Sequence, residues 1–422
     1  MSDRYRAKKK LVILFDEYPF ELDEYSFIKT ELEFLVEHFD VVIVSSSASS
    51  EPKVTIDERI TLYHCIKKFG LKEKIEAVLA FLFSKCGHAE IKRILKAGQK
   101  TGGRFYDSIV YLSSAAQLKK YMEKEHVLKG DEVIYSYWFN ANCLAALMEK
   151  ETYPKLKVVS RIHGYDLYNE RNPHNRQPFR EYMNELLDKI FFVGDTGEQY
   201  YYAHWGKPED KNKKYVVASI GTVKFRESDK SLSHKKTKAF HIVSCSNVIP
   251  LKRIHLIIEG LSRITDIDIR WTHFGNGDLM AEIEKKAQEL LEGKSNISYR
   301  LEGFIPLEEI MRFYEENDID CFITTSSTEG CPVSIQEAMS YGIPIIATAV
   351  GEIPNMIDGN GILLSESPSP EDVQTAIERL YHAGEAERLT MRTKSRALWE
   401  RKYNAIDNAK RFVEELEKLY VS

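Results

Sequence analysis

Short apolar runs alternate with amphipathic stretches along the first half of the chain. Leu11–Phe15 and Val41–Val44 predict buried strands, and the periodic stretch Phe27–Val36 between them predicts a helix. Strand, helix and strand at this spacing indicate a βαβ unit with parallel strands. Further strands are predicted in this half at Glu132–Tyr137, Lys157–Ile162, Ile190–Val193 and Tyr215–Ala218.

The second half of the chain repeats this rhythm more clearly. Strands are predicted at Phe240–Ser244, Asp268–Phe274, Ile297–Leu301, Asp320–Thr324, Ile345–Thr348 and Gly361–Leu364. Helices are predicted near Ile254–Ile264, Leu279–Leu291, Pro306–Glu316 and Val333–Tyr341, and the tail Glu385–Tyr420 has a strongly helical composition. The pattern predicts a second doubly wound sheet, which would bind ligands at the carboxyl ends of its strands.

The stretch FRESDKSLSHKKTK, Phe225–Lys238, separates the two halves and has no apolar periodicity, so it is interpreted as a linker. The predicted domains are residues 1–224 and residues 239–399, with a helix at about residues 400–422 packing back on the first domain. The fold class is α/β. Two Rossmann-like domains that face each other would place both sets of strand ends on one cleft, a favoured ligand site.

Composition and charge narrow the class of protein. The 422 residues are 43% hydrophobic and 29% charged, with a net charge of −5, which excludes a general nucleic-acid binder. None of the six cysteines forms a C-x-x-C pair, so we expect reduced thiols in a cytosolic compartment. The apolar run near the start is too short for a signal peptide, and no later run reaches the roughly 18 residues of a membrane span. We expect a soluble, cytoplasmic protein or one that lies on the inner surface of a membrane.

The segment Leu71–Leu95 is apolar on one face and has basic residues around it. One interpretation is a helical hairpin packed on the first domain. The other is a peripheral surface for anionic lipid, because basic amphipathic helices bind such membranes. The sequence leaves both open.

The most informative segment runs from Thr324 to Asn355, TTSSTEGCPVSIQEAMSYGIPIIATAVGEIPN. A strand is predicted to end near Thr324, and a helix to begin near Pro332, because proline suits the first helical turn. Glu329 then lies in the loop before the helix, and Glu337 lies about one turn inside it. Both carboxylates are therefore expected to face the edge at which the strands end.

This arrangement suits a nucleotide sugar, which has hydroxyl groups on both sides of a diphosphate. An ionised carboxylate only accepts hydrogen bonds, so Glu329 and Glu337 can each bind two hydroxyls. The amide groups and dipole at the helix start favour a phosphate between them. Gly330 and Gly342 are expected to let the backbone approach the ligand closely.

The spacing E-x7-E, written here as EGCPVSIQE, closely resembles the signature of family 4 of the retaining glycosyltransferases, which have the GT-B fold. The resemblance continues through AMSYGIPIIAT and VGEIPN, and upstream through SNVIPLKRIHLIIEGL, FGNGDL and LEGFIPLEEIMRFYEENDIDCFITTS. It covers Phe240 to about Ile357, and SRIHGYDLY (Ser160–Tyr168) supports it in the first half. The resemblance implies a GT-B fold for the whole chain.

The resemblance also implies roles for individual residues. Glu329 should bind hydroxyls of the donor sugar, Glu337 those of the ribose, and Lys252 the diphosphate, whose growing negative charge an ammonium group stabilises. His163 follows a predicted strand and should orient a hydroxyl near the sugar and the acceptor. The implied catalytic residues are thus Glu329, Lys252 and His163. The implied donor-binding residues are Glu337, Gly330, Cys331, Pro332, Val333, Ser334, Asn247, Arg253, Gly275 and Gly277.

Two departures from the family pattern leave questions open. Ser246 stands where the family usually has an arginine, and Arg253 is a weak substitute because neighbouring helix residues point in different directions. The first loop, DEYPFELDEYSFIKTELEFL, has no glycine, which puts phosphate contact there in doubt. Tyr18–Glu24 is instead expected to shape acceptor binding. In the loop of His163, Asp166 is expected to cap the following helix rather than to take part in the reaction.

Two D-x-D strings, Asp266–Asp268 and Asp318–Asp320, raise the question of a metal site. Both precede apolar strand residues, so they are interpreted as turns at strand beginnings, opposite the ligand edge. No cluster of His, Cys and Asp suggests a structural metal. We expect no metal and no other cofactor.

The predicted reaction is transfer of a hexose-type sugar from a nucleotide-sugar donor, UDP-linked among others, with retention at the anomeric carbon. The acceptor would be a glycan, a lipid-linked molecule or a protein, in polysaccharide or cell-envelope biosynthesis. A non-catalytic sugar-binding partner subunit and a nucleotide-sugar epimerase are the alternatives. The two glutamates and Lys252 favour an enzyme, and the sequence has no convincing acid–base pair for an epimerase.

Overall fold

The computed structural model describes residues 8–68, 70–98, 101–172, 174–211, 213–224 and 239–421. It divides into two compact units, unit 1 (Met1–Ile220 and Ala409–Ser422) and unit 2 (Gly221–Asn408). The predicted linker Phe225–Lys238 lies outside the described residues.

Unit 1 contains a seven-stranded parallel sheet in the order β3-β2-β1-β4-β5-β6-β7. The strands are β1 (Lys9–Phe15), β2 (Phe39–Ser45), β3 (Thr61–His64), β4 (Val133–Ser136), β5 (Lys157–Ile162), β6 (Lys189–Phe192) and β7 (Tyr215–Val217). All the strands predicted in this half are confirmed, and only the edge strand β3 was not predicted. The strand order reverses between β1 and β4, which makes their carboxyl ends the switch point of this sheet.

Helices cover both faces of the unit 1 sheet. They are α1 (Asp23–His38), α2 (Leu71–Phe83), α3 (Lys85–Ala97), α4 (Thr101–Lys124), α5 (Ala141–Glu149), α6 (Gly164–Leu167), α7 (Arg180–Leu186) and α8 (Asp195–Trp205). In β1, Val12 and Leu14 belong to one buried cluster, whereas Leu11 and Ile13 belong to another. A strand that is buried on both faces is typical of a parallel sheet covered by helices.

Unit 2 contains a six-stranded parallel sheet in the order β10-β9-β8-β11-β12-β13. Its strands are β8 (Phe240–Cys245), β9 (Ile269–Phe274), β10 (Ile297–Leu301), β11 (Cys321–Thr324), β12 (Ile345–Thr348) and β13 (Gly361–Leu364). Each of these strands was predicted. The order reverses between β8 and β11, so the loops after these two strands form the switch point of unit 2.

The helices that follow in chain order are α9 (Ile254–Leu261), α10 (Met280–Leu291), α11 (Leu307–Glu316), α12 (Val333–Ser340), α13 (Ile353–Met356), α14 (Pro370–His382), α15 (Glu385–Leu398) and α16 (Ala405–Glu417). A π-helical turn, Trp399–Tyr403, lies between α15 and α16. In α16, Phe412, Val413 and Leu416 are buried in the same cluster as Leu11 of β1. The last helix of the chain therefore completes the core of unit 1.

Candidate functional site

The two loops at the switch point of unit 2 contain an ion pair. Lys252 ends a short 3-10 turn after β8, and Glu329 lies in the loop between β11 and α12. The Lys252 Nζ donates to Glu329 Oε1 at 2.6 Å, and only 23% and 11% of these side chains are exposed. The loops are also joined by the bond from the Ser327 amide to the Leu251 carbonyl, at 2.8 Å. The pair is thus held in place by backbone contacts as well as by charge.

Arg253 belongs to the same pair of loops, but its side chain binds backbone. It has a left-handed conformation with φ of +47° and precedes α9, so the sequence argument that placed it in a helix was wrong. Its Nε donates to the Thr325 carbonyl at 2.7 Å, and its Nη2 donates to the Ser326 and Glu366 carbonyls at 2.8 Å. These bonds fix the loop that leads to Glu329, and donor contact by Arg253 stays a prediction.

Helix α12 begins four residues after Glu329. Pro332 is its N-cap residue, and Gln336 makes the first intrahelical bond, to the Pro332 carbonyl. The amides of Val333 and Ser334 precede that bond and have no acceptor within the helix, as is general for a first turn. The helix start therefore presents amide hydrogens in the segment that directly follows the loop of Glu329, the partner of Lys252.

Glu337 is a buried carboxyl in the second turn of α12. It is only 6% exposed, and burial raises its pKa to about 7. Glu337 in turn contributes to the raised pKa of Cys245 at the end of β8 and of Tyr314 on α11, after the larger effect of their burial. No hydrogen bond to the Glu337 carboxyl is seen among the described residues. The acid is available for a ligand hydroxyl and titrates near neutral pH.

The glycines near the Lys252–Glu329 pair are required for different structural reasons. A Cβ at Gly330 would contact no protein atom within 4 Å, whereas one at Gly351 would lie 2.2 Å from the Glu329 carbonyl. Gly351, which the sequence analysis missed, lets this part of the chain approach Glu329, and its signal was the string VGEIPN. Gly342 has φ of +67° and follows α12, so it ends the helix, at the end away from Gly330. Its predicted role in ligand approach was wrong.

Gly275 and Gly277 allow a close backbone approach beside β8. A Cβ at Gly275, with φ of +137°, would lie 1.9 Å from the Ser246 carbonyl, and one at Gly277 would lie 2.6 Å from the Val248 carbonyl. Asn247, between those residues, is exposed. The structural requirement for both glycines is packing within the protein, and nucleotide contact stays a prediction for all three residues.

In unit 1, His163 follows β5 and is enclosed by aromatic rings. Its ring centroid lies 4.4 Å from that of Trp138 and 5.0 Å from that of Tyr137. Burial, with a smaller effect from Arg161, lowers the His163 pKa well below its usual value. Neither ring nitrogen has a hydrogen-bond partner among the described residues. His163 is therefore a neutral imidazole with unused hydrogen-bonding capacity.

Asp166 supports the loop that carries His163. Its carboxylate accepts the His163 amide and the Phe139 amide, both at 2.6 Å. This confirms the expectation that Asp166 caps the short helix α6. The bonds join the loops after β4 and β5, so His163 and Trp138 are held together.

The loop after β1 is closed by a carboxylate from α1. Glu24 accepts the amides of Asp16, Glu17 and Tyr18, and also the Trp138 indole N–H. Burial raises the Glu24 pKa, despite these bonds. This loop was expected to shape acceptor binding, but the organising role of Glu24 was not predicted.

The two D-x-D strings lie where they were expected. Asp266–Asp268 precedes β9 and Asp318–Asp320 precedes β11, at the amino ends of the strands. Asp320 accepts the His241 amide at 2.8 Å, a structural contact at the sheet edge. Within the described ranges, no group of three His, Cys, Asp or Glu side chains is arranged to hold a metal ion. Metal-independent transfer stays a prediction.

Residues 225–397, which include the ion pair and α12, match the family model described as glycosyl transferases group 1. Over this segment, which makes up less than half of the chain, the protein is similar to the group 1 glycosyltransferases. The amylovoran biosynthesis glycosyltransferase AmsK of Erwinia amylovora is 33% identical over 158 residues, which cover 35% of this chain and 37% of AmsK. The putative colanic acid biosynthesis glycosyltransferase WcaL of Escherichia coli K12 is 25% identical over 270 residues, which cover 59% of this chain and 60% of WcaL.

The fold of the chain is GT-B, as predicted. The crystal structure of Anabaena Alr3699/HepE in complex with UDP superposes with a TM-score of 0.65 at 13% identity, covering 97% of this chain and all of that one. The matches to AmsK and WcaL span about 37% and 60% of those proteins. The comparison with HepE therefore supports the fold of the whole chain, whereas the similarity to glycosyltransferase sequences is limited to part of it.

Proposed function

We propose that this protein is a retaining glycosyltransferase that moves a hexose-type sugar from a nucleotide-sugar donor to a glycan, lipid-linked or protein acceptor. The observation that carries the proposal is the Lys252–Glu329 ion pair at the switch point of unit 2, in the loop that leads into α12. The proposed pathway is polysaccharide or cell-envelope biosynthesis, because AmsK and WcaL are named for amylovoran and colanic acid synthesis.

The donor diphosphate would bind between the Lys252 ammonium and the first amides of α12. Both groups attract an anion, and both are in place before the ligand arrives, so they can stabilise the departing diphosphate. Glu329 would accept hydroxyl hydrogens of the transferred sugar, and Glu337 those of the ribose. UDP is the first nucleotide to test, because the structure of HepE with this fold contains UDP.

Transfer would pass through an oxocarbenium-like transition state, with the acceptor hydroxyl attacking the face that the diphosphate leaves. The bond between the anomeric carbon and the diphosphate oxygen breaks as the new glycosidic bond forms. A phosphate oxygen of the leaving group takes the acceptor proton, so no covalent enzyme intermediate is needed. His163 would orient a sugar or acceptor hydroxyl as a neutral hydrogen-bonding group.

The decisive experiment has two stages. A panel of nucleotide sugars is first screened by thermal shift, since a ligand at 100 times its dissociation constant stabilises the native state by about 2.7 kcal/mol. The best donor is then incubated with and without candidate acceptors, and free nucleoside diphosphate and glycosylated product are measured. Product that retains the donor's anomeric configuration supports the proposal, and inversion contradicts it. Donor binding without nucleotide release would favour a non-catalytic partner, and change of the sugar without acceptor would favour an epimerase.

A membrane surface is proposed as a further partner, through α2. Six large apolar side chains of this helix are exposed and lie within one stripe of about 140° at 100° per residue. They are Leu71, Ile75, Val78, Leu79, Leu82 and Phe83. The exposed Lys74 lies beyond one border of the stripe, and the exposed Lys72 lies within it near Phe83, with its Nζ 3.9 Å from Glu76 Oε1. An apolar stripe with two exposed lysines in or beside it fits the interface of an anionic bilayer, and no helix in the described part of the chain is long and apolar enough to cross one.

Vesicle flotation tests this contact. The protein should float with vesicles of phosphatidylcholine and phosphatidylglycerol, and Phe83→Glu should reduce the bound fraction severalfold, because it places a charge in the apolar stripe. Phe304→Glu in unit 2 is the matched control, since Phe83 and Phe304 are 76% and 78% exposed. Equal losses in the two variants, or no flotation of the wild type, would contradict the proposed surface.

A further inference from the structure

Three consecutive amides after β1 converge on one side chain of the protein. The Glu24 carboxylate accepts the Asp16 amide at 3.3 Å and the Glu17 amide at 2.9 Å, and it also accepts the Tyr18 amide. Successive amides that point at one place form an anion-binding concavity. In unit 1, this concavity already contains an anion, and Glu24 is only 3% exposed.

The surroundings of Glu24 are acidic. Asp16 lies beside it and accepts bonds from the Asn140 and Asn142 side-chain amides, at 2.5 and 2.8 Å. The cation of this cluster is Lys67, which donates to Asn142 Oδ1 at 2.9 Å and is electrostatically coupled to Asp16. The three amides of this loop are already bonded to Glu24, so they are not open to a diphosphate, whereas the carboxyl oxygens can accept hydrogen bonds from neutral hydroxyls.

Glu24 is also linked, through Trp138, to the loop that carries His163. The indole N–H donates to Glu24 Oε1, and the indole ring packs against the His163 imidazole with centroids 4.4 Å apart. Since neither His163 nitrogen has a partner among the described residues, its orientation depends on such packing. Glu24 and Trp138 together connect the loop after β1 to His163.

We propose that Glu24 is a built-in anion that occupies the phosphate-binding concavity of unit 1 and positions His163 through Trp138. The switch point of unit 1 consequently rejects phosphate and accepts uncharged hydroxyl groups. Glu24 is a positioning residue rather than a catalytic one. Its effect on His163 rests on the proposed transfer reaction, whereas the filling of the concavity does not.

The hypothesis that Glu24 fills the concavity is tested by removing its carboxylate. Pyrophosphate binding is measured by calorimetry in Lys252→Ala, which weakens the unit 2 site, and in the double variant Lys252→Ala/Glu24→Ala. Removing the carboxylate frees three amides, so the double variant should bind pyrophosphate at least about tenfold more tightly than the single variant, as expected for charge-assisted bonds. Equal affinities in two folded proteins, verified by circular dichroism and thermal melting, would overturn the proposal. This arm requires no transfer activity.

The positioning role is tested with Glu24→Gln, and Glu33→Gln, an exposed position on the same helix α1, is the control. Glu24→Gln should lower kcat for transfer about tenfold, because small displacements of a reacting group are costly, and should leave the dissociation constant for UDP within twofold. Glu24→Asp, which keeps the charge, should recover part of the loss. A parallel loss of UDP affinity, or unchanged kcat, would overturn the positioning role. Failure of the wild type to bind any nucleotide would instead refute the proposed function.

Discussion

The two switch points of this molecule have the same topology but differ in what their loop amides bind. In unit 2, the loops after β8 and β11 present the Lys252 ammonium and the first amides of α12. In unit 1, the amides after β1 are already bonded to Glu24, and Asp16 adds a second, partly buried carboxyl. The position in the fold therefore does not determine which ligand binds. The ligand depends instead on which groups accept hydrogen bonds from the loop amides.

The difference begins with a few residues in each loop. The unit 2 loop has Gly330, with open space around it, and the helix behind it starts without a side-chain cap. The unit 1 loop has no glycine between Asp16 and Glu24, and the glutamate comes from the first turn of α1. We infer that unit 2 binds the phosphates and that unit 1 binds hydroxyls, a division that substitutions can break.

The largest effect is expected in unit 2. Glu329→Ala should lower kcat/KM for transfer by about a hundredfold or more, because it removes hydroxyl contacts and leaves Lys252 without its 2.6 Å partner. Steady-state kinetics with the donor identified by thermal shift measures the loss. Glu309→Ala, an exposed acid on α11, is the control and should be neutral. Near-normal turnover of Glu329→Ala would remove this residue from the site.

A smaller effect, confined to transfer, is expected in unit 1. His163→Asn should lower kcat about thirtyfold, the order of one or two hydrogen bonds, while the dissociation constant of the donor changes less than threefold. The reason is that the phosphates bind at the other switch point. His204→Asn on α8, which is exposed, should leave both quantities unchanged. A loss of donor affinity as large as the loss of kcat would show that the division between the units is wrong.

Local sequence patterns predicted most of the strands that form the two switch points. Leu11–Phe15 and Phe240–Ser244 are apolar runs whose burial is visible in the letters, so the strands before both switch points were predicted. The edge strand Thr61–His64 was missed, because its side chains are only partly buried and its apolar run is short. The resemblance of EGCPVSIQE to a known signature pointed to Glu329 and Glu337 before any contact was known.

The contacts between distant residues could not be predicted in the same way. Glu24 and Trp138 are 114 residues apart, and Lys252 and Glu329 are 77 apart. Periodicity reports which residues are buried, but it does not report which buried groups meet. The sequence therefore identified the glycine-free loop as a departure, whereas only the structure shows that a carboxylate fills it.

The smallest effect distinguishes the two units by pH. Burial raises the Glu337 pKa to about 7, whereas burial lowers the His163 pKa well below its usual value. Below pH 7, Glu337 becomes protonated and loses acceptor capacity for the ribose, so the donor should bind about tenfold more weakly at pH 6 than at pH 8. His163 is neutral throughout this range and should contribute no titration. Calorimetry with the intact nucleotide sugar, whose diphosphate diester does not titrate near pH 7, measures the dependence.

Glu337→Gln should bind the donor more weakly at pH 8 and show a flat profile, because the amide cannot ionise. His163→Asn should keep the wild-type slope. If the pH dependence of donor binding disappears in Glu337→Gln and not in His163→Asn, the titrating group belongs to unit 2, which supports the proposed division between the two units. If His163→Asn removes the slope instead, donor affinity depends on unit 1, and the assignment of phosphate to one switch point and hydroxyls to the other fails.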